Sequence, residues 1–264
     1  MSVDLGLKDK IFLVSGGGSG VGAGITRACL AEGAKVVVAG RVTESVTLFM
    51  QEMRDTGAAC ELVRAELGHE DECAAIIEKT LSLHGRLDGL VNNAGVNDRI
   101  GLERGTPGDF SKSLQQNLTH YYSLAHFAVP ALRATRGSIV NVASKVAFTG
   151  QGGTSAYAAA KGAQLALTRE WAVELLPYGI RVNAIVPAEV MTPLYRRWID
   201  SFPAPEAKLA GIVNRIPLEH RMTTPAEIGS AAAFLLSPLQ SSHTTGQHIF
   251  IDGGYAHLDR AITE

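Results

Sequence analysis

The apolar run Ile11-Phe12-Leu13-Val14 breaks into Ser15-Gly16-Gly17-Gly18-Ser19-Gly20-Val21-Gly22, and this junction restricts the fold more than any other stretch. Four consecutive apolar residues suit a strand buried on both faces. Beyond the glycines, apolar residues recur at Val21, Ile25, Ala28 and Cys29, the spacing of a helix with one buried side. Strand, glycine turn and helix in that order put free N–H groups at a helix N-terminus, where the glycines let the backbone approach a pyrophosphate closely. Ser15, Gly16, Gly18, Ser19, Gly20, Val21 and Gly22 are therefore candidate cofactor-binding residues. The plainer reading is a tight turn without a ligand.

Glu32-Gly33-Ala34 closes the helix and Lys35-Val36-Val37-Val38-Ala39 forms a second strand, which completes a βαβ unit. An NAD site carries a carboxylate roughly 20 residues beyond the glycines, on the ribose 2′-hydroxyl. Here Gly40 holds that place and Arg41 follows it. A guanidinium beside a small residue suits a 2′-phosphate, which a carboxylate would repel, and Thr43 can add a hydroxyl. NADP is the expected cofactor. NAD stays open, because Arg41 can also stack on adenine. The pattern continues with a helix at Thr47–Thr56, a strand at Cys60–Ala65, a helix at Cys73–Leu83 and a strand at Leu87–Val91. Such alternation predicts an α/β fold, a single doubly wound parallel sheet of Rossmann type with helices on both faces. No repeat or linker interrupts it, so residues 1–264 read as one domain.

A net charge of −2 gives no electrostatic case for nucleic acid or an anionic membrane. Cys29, Cys60 and Cys73 cannot all pair and lack metal-ligand spacing, so they read as reduced thiols of a cytoplasmic protein. No apolar run approaches the length of a membrane span. The eight histidines form no ligand cluster, and no metal is expected.

In Thr154-Ser155-Ala156-Tyr157-Ala158-Ala159-Ala160-Lys161, a helix would stack Tyr157 and Lys161 one turn apart. A phenol has a pKa near ~10, and a cation within about 4–6 Å lowers it. The pair can accept a proton from an alcohol or return one to a ketone.

From Asn92-Asn93-Ala94-Gly95 onward the chain resembles the short-chain dehydrogenase/reductase family, and the resemblance covers nearly all of its length. The glycine motif matches, with Ser15 in place of threonine. Asn93, Ala94 and Gly95 belong to a motif that in the family lies beside the adenosine half of the cofactor; Glu66, with Leu67, stands where an aspartate is usual. The resemblance assigns a catalytic tetrad of Asn117, Ser144, Tyr157 and Lys161. In it Ser144 holds the reacting oxygen and Tyr157 moves the proton. Lys161 supports the phenolate and the nicotinamide ribose, and Asn117 orients a water that relays protons to Lys161.

Where the family has Pro-Gly-x-x-x-Thr, this chain has Pro187-Ala188-Glu189-Val190-Met191-Thr192, so Pro187, Val190 and Thr192 are expected beside the cofactor. Glu189 suits a substrate with several hydroxyls, or else points to solvent or pairs with an arginine of the segment after it. That segment, about 188–220, is the least regular of the chain and is expected to form a short substrate lid. Trp198 can stack on a sugar or anchor the lid. Asn97, Asp98, Arg99, Gln151 and Thr154, with Ser144, are further substrate candidates. Within the family the chain looks most like the bacterial L-fucose dehydrogenases. That likeness implies oxidation of the C1 hydroxyl of L-fucose or a related aldose to a lactone with NADP. A ketone or 3-oxoacyl-thioester reductase is the alternative. A non-catalytic NADP-binding regulator is the alternative of another class, against which the complete tetrad argues. The resemblance also implies a homotetramer, with Tyr121, Tyr122 and Leu165 suited to its interfaces.

Overall fold

The computed structural model describes residues 3–258; Met1, Ser2 and residues 259–264 of the expected domain lie outside the described residues. The chain runs β1 (Ile11–Ser15), α1 (Gly20–Ala31), β2 (Lys35–Gly40), α2 (Glu44–Asp55), β3 (Cys60–Arg64), α3 (Glu70–His84) and β4 (Gly89–Asn92). Then follow α4 (Pro107–Leu114), a π-helical turn (Gln115–Thr119), α5 (His120–Thr135), β5 (Ser138–Val142), α6 (Val146–Thr149) and α7 (Ser155–Glu174). The last part holds β6 (Arg181–Pro187), α8 (Pro193–Asp200), α9 (Pro205–Val213), α10 (Pro225–Leu236) and β7 (His248–Ile251). All strand pairs are parallel, in the order β3-β2-β1-β4-β5-β6-β7.

Alternation along β1 explains the two layers, because successive side chains leave a strand on opposite faces. Phe12 and Val14 pack with Ile25 of α1, Phe49 of α2 and Ile228 of α10. Leu13 points the other way, to Ile76 of α3, Leu124 of α5 and Trp171 of α7. Each such side chain, fully buried, contributes roughly 1.5–3 kcal/mol. The strand order reverses between β1 and β4, and a crevice opens there beyond their carboxyl ends.

Two expectations are corrected. The segment expected to form a lid is not irregular: α8 and α9 occupy about half of residues 188–220. The Thr192 hydroxyl accepts from the Tyr195 N–H at 3.1 Å, and Pro193 opens α8. Tyr195, Trp198 and Phe202 then meet edge to face, each ring 5.1 Å from the next. Tyr121 and Leu165 cannot serve an interface, being 0 % and 5 % exposed inside the protomer's own core, whereas Tyr122 is 55 % exposed. One step along a helix turns a side chain by about 100°, enough to separate core from surface.

Candidate active site

The crevice encloses about 450 Å³ and takes its walls from the ends of β1, β2, β4, β5 and β6 and from α7. Its floor is the glycine turn. Gly16 holds φ +64°, and a Cβ on Gly22 would stand 2.2 Å from the Gly16 carbonyl oxygen and 2.6 Å from Asn93 Nδ2. No side chain but hydrogen fits there. Ser19 leads into α1 without capping it, and the first turn of α1 carries no acidic residue. Its N–H groups are therefore available to an anion.

Gly16, Gly18, Ser19, Gly20, Val21, Gly22, Arg41, Thr43, Glu66, Leu67, Asn93, Ala94, Gly95, Pro187, Val190 and Thr192 all line this crevice, with Tyr157 and Lys161. Ser15 does not. It is fully buried, and its hydroxyl accepts from the N–H groups of Asn93 (2.9 Å) and Ala94 (3.1 Å). It ties the end of β4 to β1 and so acts through its neighbours. Thr43 has a second task, accepting from Val46 N–H at 3.4 Å as the cap of α2. Arg41 is exposed and makes no ion pair with a described residue.

Ser144, Tyr157 and Lys161 line the crevice together, and Asn117 is buried outside its lining. Burial pushes the Tyr157 phenol up to about 12; a hydrogen bond with Ser144 pulls it down, and the Asp98 carboxylate opposes its ionisation. Burial brings Lys161 down to about 7. Its ammonium lies 5.5 Å from the centres of both the Tyr157 and Tyr121 rings. In the protein alone, desolvation therefore outweighs the help a nearby cation gives the phenolate. Lys161 Nζ donates to the Val142 carbonyl (2.7 Å), Gln164 Oε1 (3.1 Å) and the Tyr121 hydroxyl (3.4 Å). Asn117 sits in the π turn, fully buried. Its Oδ1 accepts from Val96 N–H at 2.7 Å, and its Nδ2 donates to the Ser113 carbonyl at 3.1 Å. The Asn117 carbonyl accepts from Gln164 Nε2 at 2.7 Å.

Among the substrate candidates, Asn97 and Ser144 line the crevice, whereas Asp98, Arg99, Gln151, Thr154, Glu189 and Trp198 do not. Glu189 sits at a bend between Ala188 and Val190, which do line it. Both its oxygens are engaged: Lys145 Nζ donates to Oε1, and the Tyr195 hydroxyl donates to Oε2 at 2.7 Å. Lys145 also lies 3.8 Å from the centre of the Tyr255 ring. Trp198 belongs to the aromatic cluster of the lid, with the Arg99 guanidinium 5.7 Å over its ring. Gln151 is exposed, and Thr154 is buried at the start of α7.

Sequence reasoning passed over Lys145, Gln164, Tyr195 and His120. Nothing local distinguishes Gln164, although its i+3 spacing from Lys161 puts it on the same helix face. His120 Nε2 donates to the Ala94 carbonyl at 3.1 Å, and burial together with the Lys161 charge lowers its pKa to about 4. Both oxygens of Asp98 are buried without a hydrogen-bond partner.

A sequence profile described as enoyl-(acyl carrier protein) reductase, of the short-chain dehydrogenase type, matches residues 16–256. The chain belongs to the short-chain dehydrogenase/reductase family, whose members use NAD(P). It is similar to L-fucose dehydrogenase of Oryctolagus cuniculus, with 38 % identity over 93 % of this chain and 84 % of that one. It is also similar to a 3-oxoacyl-[acyl-carrier-protein] reductase of Thermotoga maritima, with 33 % identity over 94 % and 98 % of the two chains. Among solved structures it is similar to the dehydrogenase Cj0485 (TM-score 0.93, 42 % identity, 98 % of each chain). The aldohexose dehydrogenase of Thermoplasma acidophilum also superposes on it (TM-score 0.87, 29 % identity, 98 % of each chain).

The glycine cradle and the uncapped start of α1 fit a dinucleotide. When bound, it supplies the nicotinamide carbon that exchanges hydride. The protein's part is to bind, orient and move the proton. The molecule is an oxidoreductase acting on CH–OH groups.

Proposed function

We propose that this enzyme oxidises the C1 hydroxyl of an aldose, L-fucose or a related sugar, to a lactone with NADP. The observation that carries the reading is the convergence of Ser144, Tyr157 and Lys161 at one end of the dinucleotide crevice. In this reading Ser144 holds the sugar C1 oxygen and Tyr157 removes its proton, while Lys161 keeps positive charge behind the phenolate. Asn117 braces the loop after β4 through Val96. Arg41, exposed next to Gly40, is the group that meets a 2′-phosphate. Asn97 and the unpartnered Asp98 carboxylate supply polar groups for a hydroxylated substrate. Likeness to L-fucose and aldohexose dehydrogenases supports the sugar. The homotetramer is proposed on family likeness alone, with exposed Tyr122 the remaining candidate contact.

A panel of aldoses including L-fucose and L-galactose, assayed with NADP and with NAD by reduced-cofactor absorbance, tests the reading. Turnover of L-fucose, faster with NADP, is the expected result. Activity confined to ketones or 3-oxoacyl thioesters would replace the aldose by the second reading, which the Thermotoga maritima relative favours.

A further inference from the structure

We propose that Gln164 is a positioning residue for Lys161: its amide joins the Lys161 ammonium to the Asn117 carbonyl and sets the upper pH limit of catalysis. This rests on the assignment of Tyr157 as the proton acceptor. Gln164 is fully buried, with both ends of its amide engaged. Its orientation is dictated by chemistry. An ammonium only donates, so the atom facing Lys161 Nζ at 3.1 Å is Oε1; a carbonyl only accepts, so the atom facing Asn117 at 2.7 Å is Nε2. The side chain of Asn117 is already used by Val96 and Ser113 and does not reach Lys161. An amide holds position but does not hand on protons near neutral pH. The rear of the site is thus a brace, and proton exchange is left to the side that opens on the crevice.

The titratable groups around Lys161 are Tyr157 on its own helix and Tyr121 and His120 from α5, with Asp98 from the loop after β4 acting on Tyr157. The Tyr121 hydroxyl donates to the Val142 carbonyl at 3.0 Å, and burial holds its pKa well above the ordinary phenol value. His120 is neutral in the working range. Burial works against the Lys161 charge, and the Gln164 oxygen and Val142 carbonyl favour it. Once Lys161 is neutral, the phenolate loses its counter-charge and alcohol oxidation declines on the alkaline side.

Gln164→Met keeps the size of the side chain and removes its oxygen. A hydrogen bond to a charged group is worth enough to shift this limb down by roughly one to two pH units. Gln164→Glu places a carboxylate against Lys161 and moves the limb up. Both variants also remove the donor to Asn117, so a purely structural role would affect them alike. The test is the pH profile of kcat and kcat/KM for both variants, with Tyr157→Phe as control. Opposite displacement of the alkaline limb, with substrate and cofactor KM within a few-fold, is expected. Limbs that stay in place while activity falls equally in both variants would overturn the proposal. If one variant does not fold, the direction of the other decides. Turnover surviving in Tyr157→Phe would instead sink the assignment on which the proposal stands.

Discussion

The Lys145–Glu189 pair offers a sharp test of how α8 is held to the segment after β5. Lys145 follows Ser144 directly, Glu189 ends the turn after β6, and Tyr195 on α8 completes the contact. The two charged side chains are only 9 % and 14 % exposed, so solvent screens them little. Replacing Lys145 by Met strands a carboxylate in a poorly hydrated place, which costs about 3–5 kcal/mol when one partner of a buried pair is removed. The Tyr195 hydroxyl still donates to Glu189, so the low end, about 3 kcal/mol, applies. For a chain of this size that lowers Tm by roughly 6–12 °C. Thermal unfolding of Lys145→Met, Glu189→Met and the double variant forms the assay. The double variant should lose less than the sum of the singles by about 1–3 kcal/mol, because no lone charge remains. Its substrate KM should rise, since α8 has lost its tie to the Ser144 segment. Additivity within about 0.5 kcal/mol would refute the reasoning, as would a single variant that melts like the unaltered protein.

Tyr157→Phe should lower turnover by roughly 10²–10⁴-fold while NADP affinity, read by fluorescence titration, stays within a few-fold. Arg41→Ala should weaken NADP at least about tenfold, the order of one lost charge-assisted contact, and leave NAD nearly unchanged; equal losses would remove Arg41 as phosphate reader. Because Tyr157 is held up at about 12 and Lys161 down at about 7, alcohol oxidation should rise with pH only until Lys161 loses its proton and decline beyond that, as initial rates across the pH range will reveal. Lys161 is held near 7 against an ordinary value of 10.5, so the unfolded chain binds more protons between those limits and this group's contribution to stability rises with pH there. Lys161→Met should therefore be inactive yet more stable than the unaltered protein, most of all below pH 7, in denaturant melts at several pH values. Arg181 donates to the carbonyls of Leu235 (2.7 Å), Leu236 (3.3 Å) and Ser237 (3.2 Å), so Arg181→Met should cost about 2–4 kcal/mol in urea unfolding.

The layered sheet and the phosphate-binding turn were legible because they rest on local periodicity. Phe12, Leu13 and Val14 divide between two cores as any fully buried strand must. Tyr157 and Lys161 were legible for the same reason, since helical spacing alone brings them to one face. The lid was misjudged because its two helices are short and their start signals, Thr192-Pro193 and Ala204-Pro205, are buried among other prolines. Glu189 and Trp198 were placed by chemical suitability, but backbone direction turned them toward Lys145 and Phe202. Tyr121 failed as an interface residue through an error of one helical step. Gln164 escaped notice because one of its partners, Asn117, lies 47 residues away and meets it only through tertiary packing.

The π turn at Gln115–Thr119 has a consequence for how such a site can be gained or lost. A π turn holds one residue more than the regular helix needs. Removing one residue there would restore an unbroken α-helix from Pro107 to Thr135 and rotate everything on one side of the cut by about 100°. Asn117 would swing away from Gln164 and Val96. One codon inserted or deleted at this turn would then separate a working catalyst from an inert relative, as an exchange at Tyr157 does by another route. A lineage could cross that boundary in a single step in either direction.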